Sequence, residues 1–259
     1  MTMVADAPFT DVVRARRSAR RFLPTPVPAA DIRAVLEDAQ QAPSNSNTQP
    51  WVVHLVSGPA RDTLAQALLD AFEQERTSPD FTGDYGDGVH QERSQQQAAV
   101  TYAAHGVERS DHEGRRDVVR ANLDFYGAPH VALLFLPPLG DRVRAAGDVG
   151  MYAQNFLLSL TARGYRGIPQ AVLSVYADTV RDVLQVPAEL KLLFGISFGT
   201  ADEEAEVNHL KMPRVPLQRS VVVHDTPGVL HERSGPDRAS RVAAAPSDTP
   251  TTSTEESPT

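Results

Sequence analysis

The chain has 259 residues, of which 41% are hydrophobic and 22% are charged, a composition ordinary for a soluble globular protein. Its formal net charge of −8 argues against a nucleic-acid partner, and its lack of cysteine excludes disulfides, thiolate metal sites and cysteine nucleophiles. No apolar run approaches the roughly 20 residues of a membrane span. Residues 1–8, a predicted flexible N-terminus, show no secretory pattern, so a cytoplasmic protein is expected.

The first third of the chain predicts three helices and one strand. Apolar spacing from Phe9 indicates a helix that leads directly into the basic stretch 14–21. A second helix is predicted within residues 29–43, where a proline limits it, and a buried strand within residues 51–56. A third helix is expected around residues 64–72.

The middle of the chain changes character. Residues 78–88 are rich in Pro, Gly and Asp and lack apolar periodicity, which predicts a long loop that acts as a lid or binding element. Tyr85 in this loop is a candidate contact for a bound substrate. Residues 91–102 and 108–120 predict two solvated helices, and residues 131–136 predict a second buried strand.

The last third contains the clearest amphipathic pattern. Residues 149–160 predict a central, heavily buried helix, which a glycine ends at the start of a turn over 164–169. A short helix is expected at 180–184 and an apolar strand at 192–198. Residues 221–223 predict a last strand at a sheet edge.

The C-terminal residues differ in composition from the rest of the chain. Residues 234–259 consist mainly of Ser, Thr, Pro, Ala and charged residues, so they predict a disordered low-complexity tail. Residues 9–233 remain as one domain. Because several helices separate single strands, the pattern predicts an α+β sandwich rather than regular βαβ winding.

One candidate site is the basic stretch that includes Arg16, Arg17, Ser18 and Arg20. Guanidinium groups bind two phosphate oxygens at once, and a serine hydroxyl with nearby backbone N–H groups can complete such a site. The alternative interpretation is a solvated basic helix end, where arginines also complement the helix dipole.

A second candidate site is the sequence Pro43-Ser44-Asn45-Ser46-Asn47-Thr48-Gln49-Pro50-Trp51, between a predicted helix and a predicted strand. Its uncharged side chains can both donate and accept hydrogen bonds, which suits a flat ligand with a polar edge. The alternative is a polar turn that caps the preceding helix. The two stretches together favour a phosphorylated heteroaromatic cofactor.

The combination Arg-Arg-Ser-x-Arg followed by Pro-Ser-x-x-Asn-x-Gln-Pro-Trp resembles the flavin-dependent nitroreductase family. Three further segments are similar to that family: residues 122–129 before a strand, residues 148–155 at the start of the long helix, and residues 164–170 in a turn. Gly195-Ile196-Ser197-Phe198-Gly199, with Asn208, Lys211 and Arg214 after it, resembles the family's last core strand and the basic pair behind it. The resemblance covers roughly residues 9–223.

The resemblance implies a fold, a cofactor and a set of site residues. It implies a three-layer sandwich, with a central, mostly antiparallel sheet flanked by helices, that forms a homodimer with FMN at the subunit interface. The phosphate and ribityl chain would be held by Arg16, Arg17, Ser18, Arg20, Lys211 and Arg214. The ring and ribityl group would be lined, from the other subunit, by Pro43, Ser44, Asn45 and Asn47. Backbone near N5 of the ring would come from Pro169, Gln170 and Ala171.

The implied activity is transfer of hydride from NADH or NADPH to a nitroaromatic or quinone by a ping-pong mechanism. The flavin supplies the chemistry, so no side chain is expected to act as a general acid. Alternatives are reduction of an activated alkene, free flavin or halogenated aromatic, and a flavin-binding protein without activity.

Two other site types are weighed against this interpretation. Residues 195–199 match the G-x-S-x-G motif, so a serine hydrolase using Ser197, with Asp202 or Asp225 and His209 or His231, is a remote alternative. The chain lacks the His-Gly-Gly segment expected upstream in such an enzyme. The eight histidines form no i, i+4 pair, so no metal site is expected.

Overall fold

The computed structural model of the protein describes residues 8–224. The chain divides into two units, with residues 8–212 described in the first and residues 213–224 in the second. The predicted tail and all but the last residue of the predicted flexible N-terminus lie outside the described range. None of the helices within that range is both long enough and apolar enough to cross a bilayer.

The first unit is built on a four-stranded sheet. Its strands are β1 (Val52–Ser57), β2 (His130–Leu136), β3 (Arg166–Gln170) and β4 (Lys191–Gly199), in the order β1-β2-β4-β3. Each neighbouring pair is antiparallel. The predicted antiparallel sheet and α+β class are confirmed.

Within residues 8–224 the chain forms seven α-helices: α1 (Phe9–Ala15), α2 (Ala29–Ala39), α3 (Gly58–Glu73), α4 (Val89–Ala104), α5 (His112–Leu123), α6 (Val143–Ala162) and α7 (Ala177–Leu184). Each of the helices expected from apolar spacing is present. The two polar helices, α4 and α5, bury only Thr101 and Leu123, which agrees with their predicted solvation.

The core lies on both faces of the sheet. Every residue of β2 is buried, and its side chains alternate between two apolar clusters as a strand requires. Val131, Leu133 and Phe135 pack in the cluster that contains α3 and α7 residues. Ala132 and Leu134 pack in the cluster that contains α2 and α6 residues. The sheet is therefore the middle of three layers, as expected.

Helix α6 is the central helix of one layer. Ten of its residues are buried, from Ala145 to Thr161, and the residue after its C-terminal cap, Gly164, has a φ of +82°. Such a left-handed residue at a helix end favours glycine, so the predicted stop is confirmed. The helix packs closely on β3: a Cβ at Gly167 would lie 2.9 Å from Leu157.

Two predicted features are corrected by the structure. The segment predicted as a turn at 164–169 instead contains β3, which pairs with β4 through Arg166 to Gln170. Gly and Pro made the segment look like a turn, but an edge strand tolerates proline because one side of its backbone needs no partner. Residues 221–223 form no strand. A strand needs a paired neighbour, and the only regular element within residues 213–224 is a short 3₁₀ helix, Leu217–Arg219.

The predicted long loop is fixed at its beginning. Asp80 has a side chain only 4% exposed and accepts hydrogen bonds from Arg181 at 2.6 and 3.1 Å and from the Leu192 N–H at 2.8 Å. Burial acts to raise the pKa of Asp80, but these hydrogen bonds and one from Lys191 outweigh it and lower the pKa. The loop begins from a rigid point.

Candidate functional site

The basic stretch lies at one end of the sheet. It follows α1 and runs beside the residues that leave β4, where the Leu23 N–H donates to the carbonyl of Thr200 at 2.9 Å. The Asp202 N–H donates to the carbonyl of Arg21 at 3.1 Å, and Phe22 forms a β-bridge with Ala201. These backbone contacts hold residues 21–23 in an extended conformation, whereas Arg14 and Arg16 lie at the C-terminal end of α1.

Asn208 connects this stretch with the segment that leads to Lys211. Its side chain is 3% exposed and accepts from the Arg20 N–H at 2.6 Å. Its amide group donates to the carbonyls of Arg21 and Asp202, each at 2.8 Å. One buried carboxamide therefore joins residues that lie almost 190 positions apart.

Two arginines lie close to each other near the residues that Asn208 connects. Arg17 and Arg166 both face Glu203, with N···O distances of 3.5 and 3.9 Å. Burial, followed by the charge of Arg17, lowers the pKa of Arg166, and Glu203 opposes that shift. Two guanidinium groups thus share a single, largely exposed carboxylate.

Arg20 borders a cleft of about 660 Å³ at the same end of the sheet. Tyr126 and His105 are among the other lining residues. Burial raises the pKa of the Tyr126 hydroxyl, and the charge and hydrogen bond of Arg20 oppose that rise. Burial, with the charge of Arg20 added, lowers the pKa of His105. The lining also includes Arg21 and four acidic residues, Asp124, Asp202, Glu204 and Glu206, so the cleft carries charges of both signs.

The segment Pro169-Gln170-Ala171 ends β3, which is an edge strand of the sheet that the described residues form. Pro169 and Ala171 are exposed, whereas the side chain of Gln170 is 3% exposed. The Gln170 amide donates to the Asn122 backbone carbonyl and to its Oδ1, each at 2.7 Å. The buried side chain fixes the strand end while its backbone stays near the surface.

Ser197 cannot be the nucleophile of a hydrolase. Its side chain is 0% exposed, in the middle of β4, and its hydroxyl donates to Oε1 of Gln170. A nucleophilic serine must instead lie on an exposed turn between a strand and a helix. The sequence motif was misleading because G-x-S-x-G also fits a strand that packs tightly: a Cβ at Gly195 would lie 2.5 Å from Leu173. Asp225 and His231 lie outside the described residues.

The polar turn contains three non-glycine residues with positive φ: Ser46 at 50°, Asn47 at 56° and Gln49 at 47°. Such residues each cost about 1–2 kcal/mol unless local contacts compensate. The Gln49 N–H donates to Ser44 Oγ at 2.9 Å, and the Asn45 N–H donates to the buried carboxylate of Asp148 at 3.1 Å. The turn has a fixed conformation, with Asn45 and Asn47 exposed.

The two candidate sites lie at opposite ends of the sheet. The basic stretch runs beyond the end where β1 and β2 pair through Ser57 and His130. The polar turn precedes Val52, at the end where Val52 pairs with Phe135. The seven residues of β2 between these ends span about 20 Å. One protomer does not bring the two sites together.

For the other predicted site residues the structure gives an exposure and a position in the chain but no contact that defines a role. Ser18 is half-buried within the basic stretch, and Lys211 is exposed, three residues after Asn208. Arg214 belongs to the second unit, and Tyr85 is 63% exposed in the long loop, so their roles stay predictions.

Sequence reasoning missed Arg166 and Glu203. The signal for Arg166 was a cation beside the Gly-Ile-Pro segment. The position of Arg166 beside Arg17 and Glu203 depends on the pairing of β3 with β4. Sequence periodicity does not reveal a strand as short as β3.

Comparison with known proteins gives consistent matches. A sequence model described as the Nitroreductase family matches residues 13–200. Nitroreductase NfnB of Mycolicibacterium smegmatis is 48% identical over 211 residues, which cover 81% of this chain and 89% of that protein. The 4-nitrobenzoate reductase of Pseudomonas putida is 34% identical over 212 residues, which cover 80% of this chain and 91% of that protein.

Solved structures agree. The crystal structure of the FMN-dependent nitroreductase NfnB from Mycobacterium smegmatis in complex with NADPH has a TM-score of 0.80 and 46% identity. The match covers 83% of this chain and 97% of that one. The crystal structure of the FMN and NADPH-dependent nitroreductase NfnB from sphigopyxis sp. strain HMH has a TM-score of 0.81 at 29% identity, over 84% of this chain and 99% of that one.

Proposed function

The chain belongs to the nitroreductase family, and from this premise we propose that it is an FMN-dependent oxidoreductase. It transfers hydride from NADH or NADPH to an electron-poor acceptor such as a nitroaromatic or a quinone. The names of its relatives, an FMN-dependent nitroreductase with bound NADPH and a 4-nitrobenzoate reductase, support this assignment.

The residues present fit FMN. Three guanidinium groups, those of Arg17, Arg20 and Arg166, lie at one end of the sheet. Arg17 and Arg166 share Glu203, and Arg20 borders a cleft that four other carboxylates also line. Guanidinium donors with a serine hydroxyl form a suitable phosphate site. The exposed strand end at Pro169 and Ala171 offers backbone groups for a planar ring. This pairing of a cationic end and an exposed strand end on β3 is the observation that carries the proposal.

The chain's own residues hold and orient the cofactor. Arg16, Arg17, Ser18 and Arg20 bind the phosphate and ribityl chain, with Lys211 as a further cation of that site. Backbone of Pro169, Gln170 and Ala171 faces the ring near N5. The guanidinium groups place positive charge at the phosphate end of the nucleotide, where they balance its negative charge. When bound, FMN supplies the hydride chemistry, and donor and acceptor use the same face in turn.

A homodimer completes the site in this proposal. The polar turn with Pro43, Ser44, Asn45 and Asn47 lies about 20 Å from the basic stretch within one protomer. A single nucleotide can therefore contact both only if the turn comes from a second protomer. The fixed conformation of the turn supports a role in which it meets the cofactor without rearrangement.

The acceptor distinguishes this proposal from its alternatives. A related flavoenzyme would prefer an activated alkene, a free flavin or a halogenated aromatic, and a binding protein would not be reduced by either nicotinamide. Anaerobic mixing with NADPH or NADH, followed by nitrobenzoate, menadione or an enone, ranks these possibilities. We expect bleaching of the flavin absorbance by a nicotinamide and its return on addition of nitrobenzoate.

Flavin binding itself is tested by the visible spectrum of the purified full-length protein. We expect the absorbance bands of oxidised flavin, retained in Arg33→Glu and lost in Arg20→Glu. Arg33 is an exposed arginine on α2 and serves as the matched control. A colourless protein that does not bind added FMN would overturn the proposal.

A further inference from the structure

We propose that Arg166 binds the phosphate of FMN together with Arg17, and that the phosphate replaces Glu203 as their counter-ion. The proposal rests on the proposed function, because it assigns a further ligand to the same cofactor site. It is carried by three observations: the position of Arg166, its incomplete hydrogen bonding and the weak contacts of Glu203.

The position of Arg166 is fixed by the sheet. It is the first residue of β3 and pairs with Gly199 at the end of β4. Residues two and four positions later, Ile168 and Gln170, share its face of the strand, and both are buried. The Arg166 side chain is 17% exposed, so it is held in the fold rather than extended into solvent.

The hydrogen bonding of Arg166 is incomplete. One terminal nitrogen donates to the carbonyl of Tyr165 at 3.2 Å. The Nε atom is buried and has no hydrogen-bond partner among the described residues. A buried donor without a partner costs about 1–3 kcal/mol. Such a group indicates a site built for an acceptor that the protein itself does not supply.

Glu203 is a poor partner for the two arginines. It lies 3.5 Å from Arg17 and 3.9 Å from Arg166, whereas charge-assisted hydrogen bonds measure about 2.7–2.9 Å. Its side chain is 58% exposed, so it moves away at little cost. Burial and the charge of Arg17 both lower the pKa of Arg166, which reflects two cations held together with too little negative charge.

A phosphate monoester can supply both the hydrogen-bond acceptor that Arg166 lacks and the negative charge that Arg17 and Arg166 lack. It carries about 1.5–2 negative charges at neutral pH and three acceptor oxygens, against one charge for a carboxylate. Two guanidinium forks can bind its oxygens in parallel pairs. Replacing Glu203 by phosphate would supply an acceptor for Nε and neutralise both arginines at once.

The position also suits the rest of the nucleotide. Pro169 and Ala171, where the ring is proposed to lie, are at the other end of β3 from Arg166. The five residues of this strand span about 13 Å. The ribityl chain would therefore run along β3, with the ring at one end and the phosphate at the other.

The test compares FMN with riboflavin, which has the same ring and ribityl chain but no phosphate. The full-length chain, freed of co-purified flavin, is titrated with each compound and binding is followed by flavin fluorescence. In Arg166→Met we expect FMN binding to weaken by about 10- to 100-fold. We expect riboflavin binding to change by less than about twofold. Arg33→Met, which removes an exposed arginine on α2, should alter neither.

Two further variants keep the test decisive. Arg166→Lys retains the charge and should weaken FMN binding less than Arg166→Met, again without affecting riboflavin. Glu203→Gln removes the competing carboxylate, so FMN should bind several-fold more tightly while riboflavin binding stays the same. An FMN-to-riboflavin affinity ratio unchanged in the Arg166 variants would overturn the role of Arg166. Weaker FMN binding by Glu203→Gln would overturn the role of Glu203 as a replaceable counter-ion.

The outcomes also separate this inference from the proposed function. A wild-type chain that binds neither flavin overturns the proposed function. A wild-type chain that binds both, with Arg166→Met weakening both equally, leaves the proposed function standing and overturns only the assignment of Arg166.

Discussion

The backbone N–H of Arg20 donates to Oδ1 of Asn208 at 2.6 Å, and this contact joins the start of the first unit to its end. The same carboxamide holds the carbonyls of Arg21 and Asp202. Because all three contacts come from one buried side chain, the backbone geometry of the basic stretch depends on a residue far from it in sequence.

Replacing Asn208 by alanine should destabilise the protein by about 1–3 kcal/mol, since buried backbone groups lose their partners. It should also weaken FMN binding, because Arg20 is no longer fixed. Urea unfolding and FMN titration measure the two effects. Gln41→Ala, at an exposed position, is the control and should cost less than about 0.5 kcal/mol. Equal stability of the Asn208 and Gln41 variants would contradict the prediction.

Ser197→Ala tests the buried contact between β3 and β4. We expect a loss of about 1–3 kcal/mol in unfolding free energy, because Oε1 of Gln170 loses the hydroxyl donor. Flavin binding and reduction by NADPH should persist, since Ser197 faces the core. A fluorophosphonate probe should not label the wild-type protein. Labelling that disappears in Ser197→Ala would restore the hydrolase interpretation, and Ser110→Ala, at an exposed position, is the stability control.

His130 should make stability depend on pH. Its Nε2 accepts from the Val27 N–H at 2.9 Å, so the proton must lie on Nδ1, which donates to Ser57 Oγ at 2.6 Å. Burial lowers the pKa of His130 below the ordinary 6.5. The unfolded chain therefore takes up a proton at higher pH than the folded protein, and stability falls as the pH drops below about 6.5.

The slope for one such histidine is at most about 1.4 kcal/mol per pH unit. Burial also lowers the pKa of His54, and His105 shifts the same way, so the whole protein shows a steeper dependence. Urea unfolding at pH 8, 6 and 5 should show a smaller loss in His130→Gln than in the wild type. Identical slopes would show that His130 is not the buried neutral group described here.

Arg181→Met should destabilise the protein by about 3 kcal/mol, because it leaves the carboxylate of Asp80 buried beside a single cation, Lys191. The double variant Asp80→Asn/Arg181→Met should lose less than the sum of the two single changes. Asp178→Asn removes the other partner of Arg181, a side chain 67% exposed, and should cost less than about 1 kcal/mol. Thermal or urea unfolding distinguishes these outcomes, and strict additivity would contradict the coupling.

Much of the fold follows from apolar spacing. Strand β2 is buried over its whole length and helix α6 buries one apolar face, so their sequences carry patterns that can be identified without a structure. Strand β3 was not predicted, because its five residues include Gly167 and Pro169 and lie at a sheet edge. A short edge strand receives its conformation from its neighbour β4 rather than from its own composition.

The candidate site could be predicted only in part. The basic stretch and the polar turn were recognised from their residue types. The distance between them could not be predicted in this way, because it depends on how β1, β2 and β4 pair. Arg166 was missed because its partners, Arg17 and Glu203, come from distant parts of the chain. The G-x-S-x-G motif shows the opposite error, since Ser197 matches a pattern whose structural context is absent.

The separation of the basic stretch from the polar turn has a consequence for mixed assemblies. In a homodimer built as proposed, each protomer contributes one half to each of two sites. A protomer with Arg20→Glu and a protomer with Asn45→Asp and Asn47→Asp would each be inactive as pure dimers. If equal amounts are refolded together and pair at random, about half of the dimers are hybrids with one wholly wild-type site, so the mixture should recover about a quarter of the wild-type flavin binding.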